Sequence, residues 1–453
     1  MTERSEAEIT LVCEVEGLEL PEGQEQTFML PSDFTPGTLS AFVCSLLELE
    51  TEEHFDFVGQ MEGGEDFLLP REHVQVFMAR HKLTTESAVT LAVRRPRGPA
   101  RMEQLDSGRP WIVDIGSCSV QGELITVSLQ SDATIKIYKE GSWTPILNYQ
   151  AFDAVATSVA VFAVPDAIAM GQSFVEVVVG RLEGGVVFLG VNLDTCHVIT
   201  AGRYQEKLER PLDQGVTRIR IKPDGTVVAV GTKAGYVRCF ANERLLHSVT
   251  NGLMAATSKK RLADSPLDVE GPVLTTVNEG SPVVDLEFPV AEQMRSLCLA
   301  VYADGSISIA DVVLLMEVGN WKLVKHGGVT CFCTSPCGRF LLTGNDNGRV
   351  RVFDVVMGQL AGLDAPTKLN LRSTYDAHSC ILRVDWCPGS PSVFSATQGN
   401  SVVAVFDTRH ALSPLQRCAV EQESQALALA TVWVSPQEFV FGCSDGRLRR
   451  LIW

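Results

Sequence analysis

Short apolar runs that alternate with polar positions set the pattern for most of the chain. Residues 329–354 hold three such runs, which begin at Val329, Phe340 and Val350 and are separated by Pro-Cys-Gly and Asn-Asp-Asn-Gly turn sequences. Alternation of period two between turns predicts short antiparallel strands. The Asn-Gly pair strengthens this prediction, because both central positions of a tight hairpin turn must tolerate positive φ.

The same arrangement of a turn followed by an apolar alternation recurs along the chain. Seven turn positions mark it: Asp132, Glu183, Ala234, Asp304, Asp346, Asn400 and Asp445. Repeats of roughly 40–50 residues with about four strands each are typical of the blades of a WD-repeat β-propeller. The recurrences therefore predict seven blades over residues 111–453.

Two irregularities modify this prediction. The interval between Ala234 and Asp304 is longer than the others and marks an insertion near residues 247–281, which we expect to be an exposed loop. The last blade reaches Trp453 on what the pattern makes its third strand. We expect its fourth strand to come from residues 98–108, which closes the ring and removes a free sheet edge.

Residues 8–96 have a different pattern. Strand-like alternation comes first, and a helix signal follows, with Thr35 as N-cap, Pro36 in the first turn and apolar residues at helical spacing. The predicted order of strand, strand, helix, strand, strand, short helix and strand is that of a β-grasp, or ubiquitin-like, fold. The fold class is therefore mainly β, with an N-terminal β-grasp domain, a linker over 97–110 that includes the closing strand, and a seven-bladed WD-repeat β-propeller.

Composition argues against several classes of partner and cellular location. The 453 residues carry a formal net charge of −17, which argues against an extended phosphate backbone as the main partner. Thirteen scattered cysteines suit free thiols in a reducing compartment. No apolar run reaches the roughly 18 residues of a membrane span. The acidic N-terminus does not have the pattern of a secretory signal.

The sequence contains few motifs typical of metal binding or catalysis. Cys331, Cys333 and Cys337 lie close in sequence, but no Cys-x-x-Cys or nearby His pair accompanies them, so we expect core packing and no zinc site. No nucleophile motif or phosphate-binding glycine loop is present, and we expect no enzymatic activity.

A basic run is either a nuclear localisation signal or part of a solvated loop. It consists of Lys259, Lys260 and Arg261.

Glu86 is the most interesting single residue. It follows Thr84 and Thr85 at the entry to the last predicted β-grasp strand, so we expect it on an exposed loop. From its chemistry alone, it is an ordinary surface glutamate. One carboxylate cannot build a metal site, but it can complete a magnesium site that another protein holds.

Three short sequences carry a resemblance to a known family. They are Phe55-Asp56-Phe57, Leu83-Thr84-Thr85-Glu86 and Phe406-Asp407-Thr408-Arg409. They resemble the Phe-Asp-Phe strand, the Leu-Ser-Ser-Glu loop and the Trp-Asp-Thr-Arg blade ending of the WD-repeat protein 12 family, the Ytm-type ribosome biogenesis factors. The order of a ubiquitin-like domain followed directly by a WD propeller is also that of the family.

The resemblance implies a scaffold for assembly of the large (60S) ribosomal subunit, acting in the nucleolus and nucleoplasm. Its partners would be a block-of-proliferation-type WD-repeat protein and a pescadillo-type protein on the pre-60S particle, where the complex is needed for rRNA maturation. The midasin AAA ATPase would grip the ubiquitin-like domain and release the complex. The resemblance makes Glu86 the ligand that completes midasin's Mg²⁺ site, with Thr84 and Thr85 beside it in the contact. It implies no cofactor of the chain's own, no membrane and no sequence-specific nucleic-acid binding.

Two alternatives remain open at this point. A Notchless-type assembly factor has the same domain order, but Phe55-Asp56-Phe57 and seven predicted blades, against eight, argue against it. A ubiquitin-ligase substrate adaptor belongs to a different class. Against this alternative, the β-grasp segment has no C-terminal Gly-Gly and is followed at once by a linker.

Overall fold

The computed structural model divides the chain into two compact units, one containing residues 1–99 and the other most of residues 100–452. It describes the following residues: 6–13, 25–31, 34–47, 55–60, 66–68, 89–94, 101–107, 110–165, 172–204, 215–242, 267–269, 271–278, 280–323, 328–360, 363–377, 379–409, 414–420 and 426–452.

The described residues of the first unit form one mixed sheet and one helix. Its elements are β1 (Glu6–Cys13), β2 (Glu25–Pro31), α1 (Pro36–Leu46), β3 (Asp56–Gln60), β4 (Asp66–Leu68) and β5 (Val89–Arg94). The sheet order is β2-β1-β5-β3-β4, with β1 parallel to β5 and antiparallel to β2. Apolar side chains of the strands form a core in which Ile9, Leu11, Leu91 and Val93 have no exposed surface.

Helix α1 begins as its sequence predicts. The Thr38 backbone N–H donates to Thr35 Oγ1 at 3.2 Å, and the Thr35 backbone N–H donates to Thr38 Oγ1 at 2.7 Å. This reciprocal cap satisfies donors that the first helical turn leaves free. Leu39 and Val43, one turn apart, are fully buried. The short helix expected near residues 72–80 lies outside the described residues.

Among the described residues, the second unit contains seven sheets, each of four antiparallel strands, with a short fifth strand added to one. The first sheets use β6 (Arg101–Ser107), β7 (Ile112–Val120), β8 (Glu123–Gln130), β9 (Thr134–Lys139), β10 (Ser142–Gln150), β11 (Ala156–Ala163), β12 (Phe174–Arg181), β13 (Val186–Asn192), β14 (His197–Tyr204), β15 (Val216–Ile221), β16 (Val227–Thr232), β17 (Tyr236–Ala241), β18 (Leu267–Asp268) and β19 (Leu274–Val277).

The later sheets use β20 (Val283–Glu287), β21 (Leu297–Tyr302), β22 (Ser306–Asp311), β23 (Met316–Lys322), β24 (Val329–Thr334), β25 (Phe340–Asn345), β26 (Arg349–Leu360), β27 (Leu363–Asp376), β28 (Ile381–Trp386), β29 (Val393–Gln398), β30 (Val402–Asp407), β31 (Gln416–Ala419), β32 (Ala428–Ser435), β33 (Glu438–Cys443) and β34 (Arg447–Ile452). A 3-10 turn, Glu292–Met294, lies between β20 and β21.

We number the sheets 1 to 7 by their first strands, which are β7, β11, β15, β20, β24, β28 and β32. Each first strand contacts the first strand of the next sheet, and β32 of sheet 7 contacts β7 of sheet 1. The seven first strands therefore form a closed circuit. The prediction of a mainly β chain with four-stranded antiparallel sheets is confirmed, and the arrangement is consistent with a WD propeller.

Sheet 7 combines strands that are distant in sequence. Its order is β32-β33-β34-β6, so its outermost strand comes from residues 101–107. Strand β6 pairs antiparallel with β34 from Ser107 opposite Arg447 to Arg101 opposite Ile452. Arg450 reinforces this pairing, with Nε 2.7 Å from the Glu103 carboxylate.

Two expectations from the sequence need correction. Residues 274–277, expected in an exposed loop, form β19, the fourth strand of sheet 3, with Leu274 and Thr276 buried. Strand β26, expected to close at Asp354, continues to Leu360 and pairs with β27 along its whole length. The extension is held by apolar packing, because Val355, Met357 and Leu369 contact a core cluster shared by sheets 4 and 5.

Candidate functional site

The seven first strands share one irregularity. In each, pairing with the second strand shifts register after the first paired residue. Pairing resumes at equivalent positions, which we call the inner ring: Asp114, Ser158, Arg218, Asp285, Cys331, Arg383 and Ala430. Five of the seven side chains are polar or charged, although they lie in the interior of the unit.

Inner-ring side chains connect neighbouring sheets through hydrogen bonds. Asp114 Oδ2 accepts from Ser158 Oγ at 2.7 Å and from the Val159 backbone N–H at 3.0 Å. Ser158 Oγ in turn accepts from the backbone N–H of Ile219 at 3.1 Å. These bonds join sheet 1 to sheet 2 and sheet 2 to sheet 3. They use backbone donors of first strands, which form the inner edge of each sheet.

Three guanidinium groups form ion pairs with two carboxylates of the inner ring. Arg383 Nη2 lies 3.2 Å from Asp114 Oδ1, and Arg383 Nη1 lies 3.6 Å from Asp285 Oδ2. Asp285 Oδ1 lies 3.3 Å from Arg218 Nε and 3.5 Å from Arg220 Nη2. Arg383 thus links sheet 6 to sheets 1 and 4, across the circuit of first strands. Breaking such a buried pair leaves an uncompensated charge, which is strongly destabilising.

The network shifts the pKa of its members. Burial by itself would raise the pKa of Asp114, but the charges of Arg383, Arg218 and Arg220 outweigh it and hold that pKa below its ordinary value. Burial lowers the pKa of Arg218 to about 10. Both groups therefore remain charged at neutral pH.

A cavity of about 140 Å³ lies against this network. Its walls are formed by Asp114, Ile115, Arg220, Asp285, Leu286, Glu287, Phe332, Cys333, Arg383, Val384, Asp385 and Thr431. Arg220, Glu287 and Asp385 lie two residues beyond inner-ring positions on their strands and are half-buried. The cavity is thus lined by first-strand residues of six sheets, and most of these residues are polar or charged.

The two carboxylates beyond the inner ring receive hydrogen bonds from neutral donors. Glu287 accepts from the Thr334 backbone N–H and from Thr334 Oγ1, both at 2.7 Å. Asp385 Oδ2 accepts from Thr431 Oγ1. Burial raises the pKa of Glu287 to about 8 and that of Asp385 to about 6. The described residues place no guanidinium or ammonium within ion-pair distance of either carboxylate.

None of the site residues predicted from the sequence is part of this cluster. Thr84, Thr85 and Glu86, the predicted partner-binding loop, lie outside the described residues. The candidate nuclear localisation signal, Lys259, Lys260 and Arg261, also lies outside them.

The cysteines near residue 335 have separate environments. Cys331 is fully buried in the inner ring, Cys333 lines the cavity and Cys337 is exposed. In the part of the chain that the structure describes, no group of three or more His, Cys, Asp or Glu side chains is arranged to hold a metal ion.

The sequence did contain a signal for the inner ring. Polar residues interrupt the apolar first strands two positions after an Ile or Val, as at Asp114 after Ile112, Asp285 after Val283 and Arg383 after Ile381. Any one of these resembles ordinary period-two alternation. Their recurrence at the blade interval marks equivalent positions, and a closed circuit of first strands brings such positions together.

Comparison with known proteins supports the repeat assignment. The family model of the WD domain, G-beta repeat, matches residues 320–354. The match begins in β23 of sheet 4 and ends in β26 of sheet 5, so one sequence repeat spans two sheets. No curated protein matches the chain. Among the described residues, no helix is long and apolar enough to cross a membrane. WD repeats generally mediate contacts between proteins, so this chain carries a module typical of scaffolds and adaptors.

Proposed function

We propose that the chain is a scaffold for assembly of the large ribosomal subunit, of the WD-repeat protein 12 type. In this proposal, the seven sheets are the blades of one WD propeller and the N-terminal unit is a ubiquitin-like domain. The observation that carries it is the combination of a β2-β1-β5-β3-β4 sheet and helix α1 with a following unit that contains a WD repeat. The family-like sequences at Phe55-Asp56-Phe57 and Phe406-Asp407 support the choice of family.

The second unit would hold the protein partners, a block-of-proliferation-type WD-repeat protein and a pescadillo-type protein. The net charge of −17 favours protein contacts over direct contact with RNA. Stable interfaces of this kind bury at least about 1,200 Å². The protein would act on pre-60S particles in the nucleolus and nucleoplasm, with Lys259, Lys260 and Arg261 as the import signal.

The N-terminal unit would be the domain that midasin binds. Glu86 would supply one oxygen ligand to a Mg²⁺ ion held by midasin, with Thr84 and Thr85 beside it. A carboxylate is a hard oxygen ligand of the kind Mg²⁺ prefers, and Mg²⁺ sites commonly leave positions to a partner. Pulling by midasin would then strip the complex from the particle, and the chain would contribute no catalytic group.

Affinity purification of the tagged full-length chain after nuclease treatment tests this scaffold proposal. We expect the two protein partners to remain bound, because their contacts are protein–protein contacts. Their loss on RNA digestion would contradict the direct interface. Recovery of ubiquitin-ligase subunits without either partner would favour the ligase-adaptor alternative and overturn the proposal.

A further inference from the structure

The cavity beside the inner ring is surrounded by more carboxyl groups than guanidinium groups. Its immediate network contains four carboxylates, on Asp114, Asp285, Glu287 and Asp385, and three guanidiniums, on Arg218, Arg220 and Arg383. The ion pairs of all three guanidiniums in this network go to Asp114 and Asp285. Glu287 and Asp385 are therefore the two carboxylates of this network that have no guanidinium or ammonium within ion-pair distance among the described residues. Arg220 is still near enough to both to act against the rise in their pKa values.

Hydrogen bonds orient these two carboxylates without neutralising them. Thr334 binds both oxygens of Glu287, and Thr431 binds Oδ2 of Asp385. Asp385 Oδ1 accepts no hydrogen bond from the described residues. Burying a carboxylate without a charged partner is costly, and a charge-assisted hydrogen bond from a cation is the strongest way to offset that cost.

We propose that the cavity binds a guanidinium or primary ammonium group, with the carboxylates of Asp385 and Glu287 as its acceptors. Ile115, Phe332 and Val384 also line the cavity, and apolar groups of this kind suit the methylene groups that carry such a cation on an arginine or lysine side chain. A cavity of roughly 150 Å³ holds a molecule the size of benzene, so 140 Å³ accommodates one cationic head group with part of its stem.

Other ligand classes fit the cavity less well. An anion would meet two unpaired carboxylates, while the guanidiniums that could attract it already pair with Asp114 and Asp285. A metal ion needs three or more converging ligands, and the described residues provide no such group. The proposal does not depend on the ribosomal partners proposed above.

Isothermal titration calorimetry on the full-length protein tests the proposal with three cationic probes and one neutral probe. N-ethylguanidinium and n-butylammonium represent free cations, and the peptide acetyl-Gly-Arg-Gly-amide represents a partner's side chain. N-ethylurea has the shape of N-ethylguanidinium without its charge. We expect the cations to bind and N-ethylurea not to bind. Tighter binding of the peptide would identify a partner's arginine as the source, and binding of only the free cations would identify a small molecule.

Two variants and a matched control test the assigned acceptors. Asp385→Asn and Glu287→Gln keep the size of each side chain but cannot become negatively charged. Because burial raises the pKa of Glu287 to about 8, the titrations are run at pH 9, where both carboxyl groups are ionised in the wild type. We expect each to weaken cation binding by about tenfold or more. Glu176→Gln removes a buried charge outside the cavity and should bind as the wild type does.

Four results would overturn the proposal. They are the absence of binding by every cation, equal binding of N-ethylurea, unchanged affinity in both variants, and an equal loss of affinity in Glu176→Gln. The comparison of N-ethylguanidinium with N-ethylurea uses only the wild type, so the test remains decisive if a variant does not fold.

Discussion

Glu176 lies entirely inside the second unit. Its carboxylate accepts a hydrogen bond from Asn242 Nδ2 at 2.7 Å, while its Oε1 and Asn242 Oδ1 have no hydrogen-bond partner among the described residues. Burial raises the pKa of Glu176 to about 7, even though the bond from Asn242 opposes the shift. In the folded state, the carboxyl group therefore keeps its proton to a higher pH than in the unfolded chain.

This shift predicts a pH dependence of stability. Between about pH 4.5 and pH 7, the folded state binds the Glu176 proton and the unfolded state does not, so the contribution of Glu176 is lost as the pH rises. Glu176→Gln removes this titration. Relative to the wild type, the variant should gain up to roughly 3 kcal/mol between pH 4.5 and pH 8. Urea unfolding across this range measures the gain, with exposed Glu183→Gln as the control. A stability difference that does not change with pH would contradict the account.

Two glycines with the same backbone conformation provide a second test at the residue scale. Gly122 and Gly235 both have φ of +85°, which L-residues rarely adopt. A Cβ at Gly122 would meet nothing within 4 Å, whereas a Cβ at Gly235 would lie 2.2 Å from Asn278 O and 2.6 Å from Ser281 O. The two positions thus separate conformational strain from steric conflict.

Gly122→Ala should cost about 1–2 kcal/mol of unfolding free energy, since it adds only left-handed strain. Gly235→Ala should cost clearly more, because the turn between β16 and β17 must also move away from two carbonyl oxygens. Denaturant unfolding of the two variants measures the difference. Equal losses would show that steric conflict adds nothing at Gly235.

Local chemistry at the residue scale was readable from sequence, but long-range pairing was not. Thr35 and Pro36 predict the start of α1, because a helix cap depends on neighbours within one turn. The Arg383–Asp114 pair joins residues 269 positions apart. No local pattern indicates such a pair, because it exists only after the first strands of sheets 1 and 6 have come together.

At the scale of elements, β6 protects the outer edge of sheet 7. It covers β34, which would otherwise present unpaired backbone groups and invite association with another chain. Replacing residues 101–107 with a Gly-Ser segment of equal length should lower the melting temperature and produce dimers or larger species. Replacement of residues 95–100, which lie between β5 and β6 in the sequence, is the control. Calorimetry and size-exclusion chromatography measure both effects, and an unchanged monomer would contradict the role of β6.

Element lengths were harder to predict than element types. Alternation at Val329, Phe340 and Val350 anticipates β24, β25 and the start of β26, since each has one clear buried face. The extension of β26 past Asp354 depends on a surface offered by sheet 4, which a local pattern cannot reveal. Strand β19 was missed because its buried face pairs apolar Leu274 with polar Thr276, so residues 274–277 lack the apolar alternation that would have distinguished them from a loop.

At the scale of the whole molecule, the proposed function divides between the two units. The second unit would hold partners on the pre-60S particle, and the first would present Glu86 to midasin. The sequence pattern predicts Glu86 on an exposed loop. Glu86→Ala should therefore leave the fold intact, because surface substitutions usually change stability by less than about 0.5 kcal/mol. The variant should therefore keep its two scaffold partners and lose only the midasin contact.

Binding of the full-length chain to the isolated adhesion-site domain of midasin, with and without Mg²⁺, tests this central claim most directly. Wild type should bind only with Mg²⁺. Glu86→Ala and Glu86→Gln should bind weakly because they lack the charge, and Glu86→Asp because its carboxylate is one methylene shorter and cannot reach a ligand distance of about 2.0–2.1 Å. Glu72→Ala, another glutamate of the same domain, should bind like the wild type. Unchanged Mg²⁺-dependent affinity of Glu86→Ala would contradict the account.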